Sequence, residues 1–291
     1  MRNELQYSIN CNGQLMDLSI PRIMGILNVT PDSFYAESRK ETESEIMARA
    51  KEIVEEGADI IDVGACSTRP GADSPDEQEE MRRLRSALTP IRKAFPDAVL
   101  SVDTFRASVA RMCVEEYQVD IINDISGGQY DDRMFDTVSQ LGVPYILTHT
   151  KGTPDHMQDH PHYDELMHEL LTYFAERVQK LRDRGQKDII IDPGFGFGKS
   201  LEHNYVLLNN LEQLQLLELP ILVGVSRKRM VYNLLGTTPE DSLNGTTVVD
   251  TIALTKGANI LRVHDVKAAK ECTTIFQKMQ KPLRDILFIT N

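Results

Sequence analysis

Eight short apolar runs of the sequence each end in side chains that can bind a ligand. The polar residues at these ends are Asn28, Asp62, Asp103, Asn123 with Asp124, His149, Asp192, Ser226 to Lys228, and Arg262 with His264. Asp and Asn often begin the loops after strands because they cap the next helix, so each one alone has a structural explanation. Polar ends on all eight runs instead predict one shared site.

The first run ends in Asn28 and continues into Thr30-Pro31-Asp32-Ser33, a composition typical of a turn. Asn28 can serve as a neutral oxygen ligand, or as a hydrogen-bond donor, beside a magnesium-bound pyrophosphate. A strand followed by an ordinary polar loop explains the same residues. The residue types alone do not decide between these two interpretations.

The second run leads into a loop, residues 62–72, that combines small residues, hydroxyl groups and one arginine. Arg69 can hold phosphate oxygens through two parallel hydrogen bonds, and Gly71 would permit a hinge motion. The alternative is a flexible surface loop without a ligand. We interpret the segment as a phosphate-binding loop.

Asp192 begins a glycine-rich loop that ends in Gly198-Lys199-Ser200. This ending is similar to a P-loop, but Pro193 stands where that motif requires glycine, and the loop has no GxGxxG spacing. We therefore reject an ATPase or a dinucleotide-binding enzyme. The glycines instead keep the loop thin beside a flat ligand.

The carboxylate of Asp192 also suits one edge of a pterin ring. The 2-amino and N3–H groups of a pterin form a two-donor edge, which a carboxylate can bind as it binds a guanidinium. Asp103 and Asn123 can then satisfy the remaining heteroatoms, and Lys228 can donate to the ring carbonyl. Helix capping or a structural ion pair remains the alternative for Asp103 and for Asp192.

Basic residues cluster after the last two apolar runs, as Ser226-Arg227-Lys228-Arg229 and as Arg262-Val263-His264. Barrel enzymes often bind phosphate at the corresponding loops, and a helix that begins near Lys228 would add its dipole. The formal net charge of the chain is -12. Such a chain is not expected to bind nucleic acid or acidic membranes, but a local cation cluster would attract anionic substrates.

The sequence gives little support to zinc binding, disulfides or membrane insertion. His156, His160 and His162 share one loop, but their spacing fits no zinc pattern and no cysteine is near. The four cysteines, Cys11, Cys66, Cys113 and Cys272, are scattered without a CxxC pair, which favours reduced thiols and a cytoplasmic protein. No signal peptide is recognisable, and no apolar run approaches the roughly 20 residues that span a bilayer.

The elements that must position the polar residues alternate regularly along the chain. The predicted strands are Ile23–Val29, Asp59–Gly64, Val99–Asp103, Val119–Ile125, Pro144–His149, Asp188–Asp192, Pro220–Val225 and Ala258–His264. The predicted helices include Glu43–Glu56, Asp76–Ala94, Phe105–Tyr117 and Tyr163–Arg184. Nearly continuous apolar strands are typical of a parallel sheet covered on both faces.

Eight such units predict a fold of the α/β class, a (β/α)8 TIM barrel. An open, doubly wound sheet is the structural alternative. We assign residues 20–291 to one catalytic barrel domain and residues 1–19 to an N-terminal extension. The extension is expected to form a short hairpin that turns at Asn12-Gly13 and caps the closed end of the barrel.

Seven motifs in this order resemble those of the dihydropteroate synthases, along nearly the whole chain. They read MGILNVTPDSF, GACSTRPGA, SVDT, INDISGG, DPGFGFGK, SRK and RVHDV. The segment THTKGTPDHMQ is also similar to a family segment, from which Thr148 and Thr150 depart. The resemblance implies a transferase of folate biosynthesis, which joins 6-hydroxymethyl-7,8-dihydropterin pyrophosphate to 4-aminobenzoate and releases pyrophosphate. It also implies Mg²⁺ as cofactor and a homodimer.

The resemblance further implies a role for each matching residue. Asp103, Asn123, Asp192 and Lys228 would hold the pterin. The pyrophosphate or its magnesium would be contacted by Asn28, Thr68, Arg69, Arg262 and His264, with Asn28 as the metal ligand. Phe34 and Pro70 would close over the ring of 4-aminobenzoate, whose carboxylate would meet donors between Ser226 and Arg229.

The sequence departs from the family at two places in these loops. The family continues its first motif with Ser-Asp-Gly-Gly, whereas this chain has Tyr35-Ala36-Glu37-Ser38, so the loop aspartate is missing at Ala36. Ala65-Cys66 stands where Gly-Glu is common. The altered first loop supports one other function, a pterin-binding protein without catalysis. A corrinoid-type pterin methyltransferase is a second alternative, because such enzymes share the barrel and the Asp/Asn pterin set. The motifs STRPG and RVH favour the synthase over both.

Overall fold

A computed structural model of the chain describes residues 6–29, 39–66, 75–152 and 161–289. Its first element is a two-stranded antiparallel hairpin, β1 (Ser8–Cys11) and β2 (Gln14–Asp17). Asn12 and Gly13 form the turn with φ of 48° and 89°, values that favour Asn and Gly. The predicted N-terminal hairpin is confirmed.

The next eight strands form one parallel sheet. They are β3 (Arg22–Asn28), β4 (Ile60–Gly64), β5 (Val99–Asp103), β6 (Ile121–Asp124), β7 (Tyr145–Thr148), β8 (Ile189–Asp192), β9 (Leu222–Val223) and β10 (Ile260–Val263). Each pairs with its neighbour in sequence, β10 pairs with β3, and a parallel bridge between Ile191 and Ile221 joins β8 to β9. The sheet is therefore a nearly closed barrel, and the open-sheet alternative is wrong.

Helices connect the strands on the outside of the barrel. They are α1 (Arg39–Glu55), α2 (Glu77–Ala94), α3 (Ala107–Tyr117), α4 (Met134–Leu141), α5 (Leu166–Asp183), α6 (Leu201–Asn209), α7 (Arg229–Leu235), α8 (Leu243–Thr255) and α9 (Val266–Ile289), with a 3₁₀ helix at Leu211–Leu217. A side-chain cap fixes the start of α2, where Asp76 accepts a hydrogen bond from the Glu79 amide at 2.8 Å. Within the described ranges, no helix is long and apolar enough to cross a membrane.

Two sets of apolar side chains make the core. The larger set lies between the strands and the helices, and it includes the fully buried Tyr145, Phe174 and Phe195. The smaller set fills the barrel near the strand beginnings, where Ile9 and Leu18 of the hairpin region pack with residues such as Met24. The hairpin thus covers one end of the barrel, and the polar strand ends gather at the other.

One strand differs clearly from its prediction. The run Pro220–Val225 was expected to be a strand throughout, but β9 contains only Leu222 and Val223. After it the chain turns, with the Lys228 amide bonded to the Val225 carbonyl at 3.2 Å and Arg227 at φ 52°. Ser226 and Lys228 therefore lie in and directly after a turn, not at the end of a longer strand.

Candidate active site

Strand register sets several of the predicted residues side by side at one rim of the barrel. Asn28 pairs with Gly64, Gly64 with Asp103, and Asp103 with Asn123. On the far side, Thr148 pairs with Asp192. Parallel neighbours in register end at the same height, so these ends surround the mouth of the barrel.

Arg262 is the centre of an ion-pair network in this mouth. Its Nε donates to Asp62 Oδ2 at 2.7 Å, and its Nη2 donates to Asp103 Oδ2 at 2.8 Å. The same oxygen of Asp62 also accepts a hydrogen bond from Asn123 Nδ2 at 3.2 Å. The guanidinium thus joins β10 to β4 and β5, and Asp62 extends the network to β6. Arg262 was expected to contact pyrophosphate, and here two of its donors are bound to carboxylates.

Asp192 and Lys228 are held by the glycine-rich loop between them. Asp192 Oδ1 accepts a hydrogen bond from the Gly194 amide at 2.8 Å, and Lys228 Nζ donates to the Phe195 carbonyl at 2.6 Å. Gly194 has φ 69°, and a Cβ there would collide with the His149 carbonyl oxygen. Glycine is therefore required where this loop crosses the end of β7.

The network leaves specific polar atoms free of partners among the described residues. Asp192 Oδ2, Asp103 Oδ1 and Asn123 Oδ1 accept no hydrogen bond from them, because each residue bonds only through its other polar atom. Arg262 Nη1 is likewise a donor without a bond to them. The mouth therefore presents three acceptors, together with the charged ends of Arg262 and Lys228.

Burial and neighbouring charges shift the pKa values in this mouth. Burial raises the pKa of Asp103, although the positive charge of Arg262 lowers it in part. Burial likewise raises the pKa of Asp192, and the positive charge of Lys228 opposes that rise. Burial lowers the pKa of Lys228 to about 8. Burial, followed by the charge of Arg262, lowers the pKa of His264 to about 4, so His264 is neutral at pH 7.

The segment from Ser226 to Arg229 divides between the mouth and the outside. Ser226 is buried, and its Oγ accepts a hydrogen bond from the His264 amide at 3.2 Å. Arg227 points to Asp265, which it binds through Nε and Nη2 at 2.8 Å each. Helix α7 begins at Arg229, which is exposed, directly after Lys228. The predicted helix start near Lys228 is confirmed.

Several predicted site residues lie outside the described residues. These are Phe34, Ala36, Glu37, Thr68, Arg69 and Pro70, together with His156 and His160. Their roles stay predictions. His162 lies in the described range, where it contacts Asp164 at 3.0 Å and is exposed. No group of three or more His, Cys, Asp or Glu residues able to hold a metal occurs in the described part of the chain.

Sequence reasoning did not assign roles to two residues that organise the site. Asp62 is 0% exposed and pairs with both Arg262 and Asn123. Its position inside the apolar run Ile60–Gly64 was the available signal, because a carboxylate buried there needs a partner. The other residue is Lys199, whose sequence context indicated only a P-loop that Pro193 rules out.

Known proteins resemble the chain in both sequence and fold. Residues 24–264 match the family of pterin binding enzymes. The dihydropteroate synthase of Escherichia coli is 39% identical over 267 residues, 91% of this chain and 94% of that protein. The dihydropteroate synthase of Haemophilus influenzae is 38% identical over 268 residues, 91% of this chain and 96% of that protein.

Solved structures of dihydropteroate synthases share the same barrel. The Yersinia pestis enzyme, in complex with a sulfonamide drug, has a TM-score of 0.87 and 38% identity, covering 94% of this chain and 100% of that chain. The Xanthomonas albilineans enzyme with 4-aminobenzoic acid has a TM-score of 0.84 and 35% identity, covering 94% and 98%. The chain therefore belongs to the pterin binding enzyme family, and within it to the dihydropteroate synthases.

Proposed function

We propose that this protein condenses 6-hydroxymethyl-7,8-dihydropterin pyrophosphate with 4-aminobenzoate, giving 7,8-dihydropteroate and pyrophosphate. The observation that carries the proposal is the set of free acceptors in the mouth, Asp192 Oδ2, Asp103 Oδ1 and Asn123 Oδ1. The amino and ring N–H groups of a dihydropterin are donors that match this set. Lys228 would donate to the ring carbonyl. A Xanthomonas albilineans relative is known in complex with 7,8-dihydropteroate.

The reaction follows an SN1-like course in this proposal. The bond between the hydroxymethyl carbon and the pyrophosphate oxygen breaks, and its electron pair leaves with pyrophosphate. The electron-rich dihydropterin delocalises the positive charge that develops on the carbon. The lone pair of the arylamine nitrogen then forms the new C–N bond, and the nitrogen loses a proton to water. Arylamines are neutral at pH 7, so no strong general base is needed.

Arg69, Arg262 and His264 are proposed to stabilise the leaving group. Arg262 has Nη1 available while its other donors hold Asp62 and Asp103. Because the pKa of His264 is about 4, its neutral ring would contribute a hydrogen bond rather than a charge. Thr68 is proposed to add a hydroxyl donor. Electrostatic stabilisation of this kind is usually the largest contribution to catalysis.

We propose that Mg²⁺ binds together with the pyrophosphate and is held by Asn28. Asn28 ends β3 at the exposed rim, and its side chain makes no hydrogen bond to the described residues. Magnesium usually keeps several waters and takes one or two protein oxygens plus substrate phosphates, so a single amide oxygen fits it. When bound, the ion would neutralise part of the charge that develops on the leaving group.

The 4-aminobenzoate is proposed to lie over the pterin, under Phe34 and Pro70. Its carboxylate would meet donors at the start of α7, where Ser226 and Arg229 lie. A sulfonamide would be expected to compete for the same place, as the complex of the Yersinia pestis enzyme suggests.

The test is a turnover assay with the purified protein, dihydropterin pyrophosphate, magnesium and 4-aminobenzoate, in which pyrophosphate and dihydropteroate are both measured. We expect equal amounts of the two products, dependent on 4-aminobenzoate. Asp192→Asn is the matched variant, since it keeps the size of the side chain but replaces one acceptor oxygen by a donor. It should lose pterin binding.

Two other outcomes would redirect the assignment. Transfer of a methyl group between a pterin and a corrinoid protein would favour the methyltransferase. Pterin binding without any aminobenzoate-dependent product would favour a non-catalytic binding protein. Either result would overturn the synthase proposal while leaving the pterin site in place.

We also propose a homodimer in the cytoplasm. Exposed apolar side chains on α7, α8 and α9 lie on helices that pack side by side; they are Leu234, Leu235, Val248, Ile252 and Ile275. Such a patch is typical of a subunit interface. Light scattering after size-exclusion chromatography should give twice the mass of 32.9 kDa, and Val248→Asp should shift it toward the monomer. Four unpaired cysteines fit a reducing compartment.

A further inference from the structure

Lys199 is a buried lysine beneath the pterin site, and it has a complete set of acceptors. Its Nζ lies 3.0 Å from the Gly194 carbonyl oxygen, 3.2 Å from the Phe197 carbonyl oxygen and 2.9 Å from His149 Nδ1. The residue is only 3% exposed. Burial lowers the pKa of Lys199 to about 7. In its ammonium form the group has three protons, and these three acceptors use all of them.

His149 is the acceptor that comes from another strand. When Lys199 is an ammonium it donates to Nδ1, and the proton of the neutral ring is then on Nε2. Burial, followed by the charge of Lys199, lowers the pKa of His149. The ring packs edge-on against Tyr173 with centroids 4.6 Å apart. His149 therefore stays neutral and connects the end of β7 to the glycine-rich loop.

Three carbonyl groups of this loop accept hydrogen bonds from two lysines. Those of Gly194 and Phe197 face Lys199, whereas that of Phe195 accepts from Lys228 Nζ at 2.6 Å. The Gly194 residue also donates its amide to Asp192 Oδ1 at 2.8 Å. The Gly194–Phe195 peptide, whose carbonyl Lys199 binds, therefore lies between the peptide that donates to Asp192 and the peptide that accepts from Lys228.

Other bonds fix the far half of the same loop. Tyr163 Oη donates to the Gly198 carbonyl at 2.8 Å, and the Gly196 amide donates to Asn204 Oδ1 at 2.8 Å. Neither bond reaches Gly194 or Asp192. Among the described residues, Lys199 is the side chain that bonds to the Gly194 carbonyl, which also accepts from the Phe197 amide at 3.0 Å.

We propose that Lys199 is a positioning residue for the pterin site, which holds the Asp192–Phe197 segment so that Asp192 Oδ2 and Lys228 Nζ meet the pterin ring, with His149 as its neutral anchor. This inference rests on the proposed function, since it assigns Asp192 and Lys228 to the pterin. It implies that Lys199 contacts no substrate and acts only through these two residues.

The test compares Lys199→Met with Tyr163→Phe, since each removes bonds to the same loop but at different halves. Calorimetry without the arylamine substrate gives the dissociation constant for dihydropterin pyrophosphate, and steady-state turnover at saturating pterin gives the KM for the arylamine. Lys199→Met should raise the pterin dissociation constant about tenfold or more, the size expected when hydrogen bonds to a charged group are lost. Its KM for the arylamine should stay within about threefold, and Tyr163→Phe should change neither constant beyond that range.

A general loosening of the fold would give a different pattern. Equal rises in both constants, equal effects of the two variants, or an unchanged pterin affinity in Lys199→Met would each overturn the proposal. If Lys199→Met does not fold, His149→Phe decides, because it keeps a ring but removes one acceptor. It should weaken pterin binding more than Tyr163→Phe does, and an equal or smaller effect would refute the role.

Measurements on the parent protein, which carries no substitution, distinguish failure of this proposal from failure of the proposed function. A parent that binds no dihydropterin pyrophosphate would refute the proposed function itself. A parent that binds it and forms dihydropteroate, combined with a Lys199→Met variant of unchanged affinity, would refute only the positioning role.

Discussion

Replacing Arg262 by methionine should remove both catalysis and a pH-dependent part of the stability. The guanidinium bonds Asp62 at 2.7 Å and Asp103 at 2.8 Å, and methionine keeps most of the length of the side chain without its charge. The buried carboxylate of Asp62 and the half-buried carboxylate of Asp103 would then lack their cation. Breaking a buried ion pair by removing one partner costs about 3–5 kcal/mol.

Protonation of Asp103 limits this cost at low pH. Burial already raises the pKa of Asp103, and loss of Arg262 would raise it further. A carboxyl group with a raised folded-state pKa binds a proton in the folded state, and its stabilising effect is lost as the pH rises through that pKa. We therefore expect the variant to lose about 3 kcal/mol or more at pH 8 and clearly less at pH 6.

Denaturant unfolding at the two pH values measures the stability, and pyrophosphate release measures the turnover. If Arg262 stabilises the leaving group by the roughly 3 kcal/mol expected for a buried charge, kcat/KM should fall about 100-fold or more. Arg85→Met is the matched control, because Arg85 binds Glu116 at 2.9 and 2.7 Å through the same two nitrogens on the surface. It should cost at most about 1 kcal/mol. Turnover within threefold of the parent in Arg262→Met would refute the assignment, and pH-independent stability loss would refute the network argument.

Three further substitutions test the site and the core. Asp250 is 1% exposed, and its Oδ1 lacks a partner in the described structure. Burial, with a smaller effect of Asp265, raises the pKa of Asp250 to about 7. Asp250→Asn should therefore raise the free energy of unfolding by about 1–3 kcal/mol at pH 8 and by much less near pH 4, and equal increases at both pH values would contradict this. Gly194→Ala places a Cβ against the His149 carbonyl and should lower the thermal midpoint and weaken pterin binding by about tenfold or more, which titration of the variant checks. Burial lowers the pKa of Lys228 to about 8, so pterin affinity should fall as the pH rises past about 8, and a fall that persists in Lys228→Met would assign it to another group.

The apolar runs and helix signals predicted the fold well, because each reflects local physics. The third predicted strand, Val99–Asp103, has the same bounds in the structure. The predicted segment Asp76–Ala94 is α2 with Asp76 as its cap. The length of the strand at Pro220–Val225 was overestimated because an apolar run indicates burial, whereas a strand also needs a partner for each backbone group. The strand ends at Val223, and the chain turns between Val225 and Lys228.

The ion pairs and hydrogen bonds inside the site were harder to predict from the sequence. Arg262 lies 200 residues from Asp62, and several carboxylates end strands of the same barrel, so spacing could not select its partners. Lys199 was missed for a different reason. Whether that side chain points to the mouth or beneath the loop depends on the positive φ values of Gly194, Gly196 and Gly198, and sequence shows that glycine permits such values but not that it adopts them.

The balance of charges in the site indicates which groups bind the pterin ring and which bind the pyrophosphate. Three carboxyl groups and three basic side chains lie in the mouth and against its loop, namely Asp62, Asp103, Asp192, Arg262, Lys199 and Lys228. Burial raises the pKa of Asp103 to about 7 and lowers that of Lys199 to about 7, so the partial charges of these two groups offset each other near pH 7. A neutral dihydropterin can enter such a set without bringing an unpaired charge, and the free acceptors select it by hydrogen bonds. A pyrophosphate adds negative charge that this balanced set cannot neutralise, and His264 is neutral. Arg262 offers its free Nη1 to the leaving group, and we propose that Arg69 and magnesium at Asn28 supply the remaining positive charge.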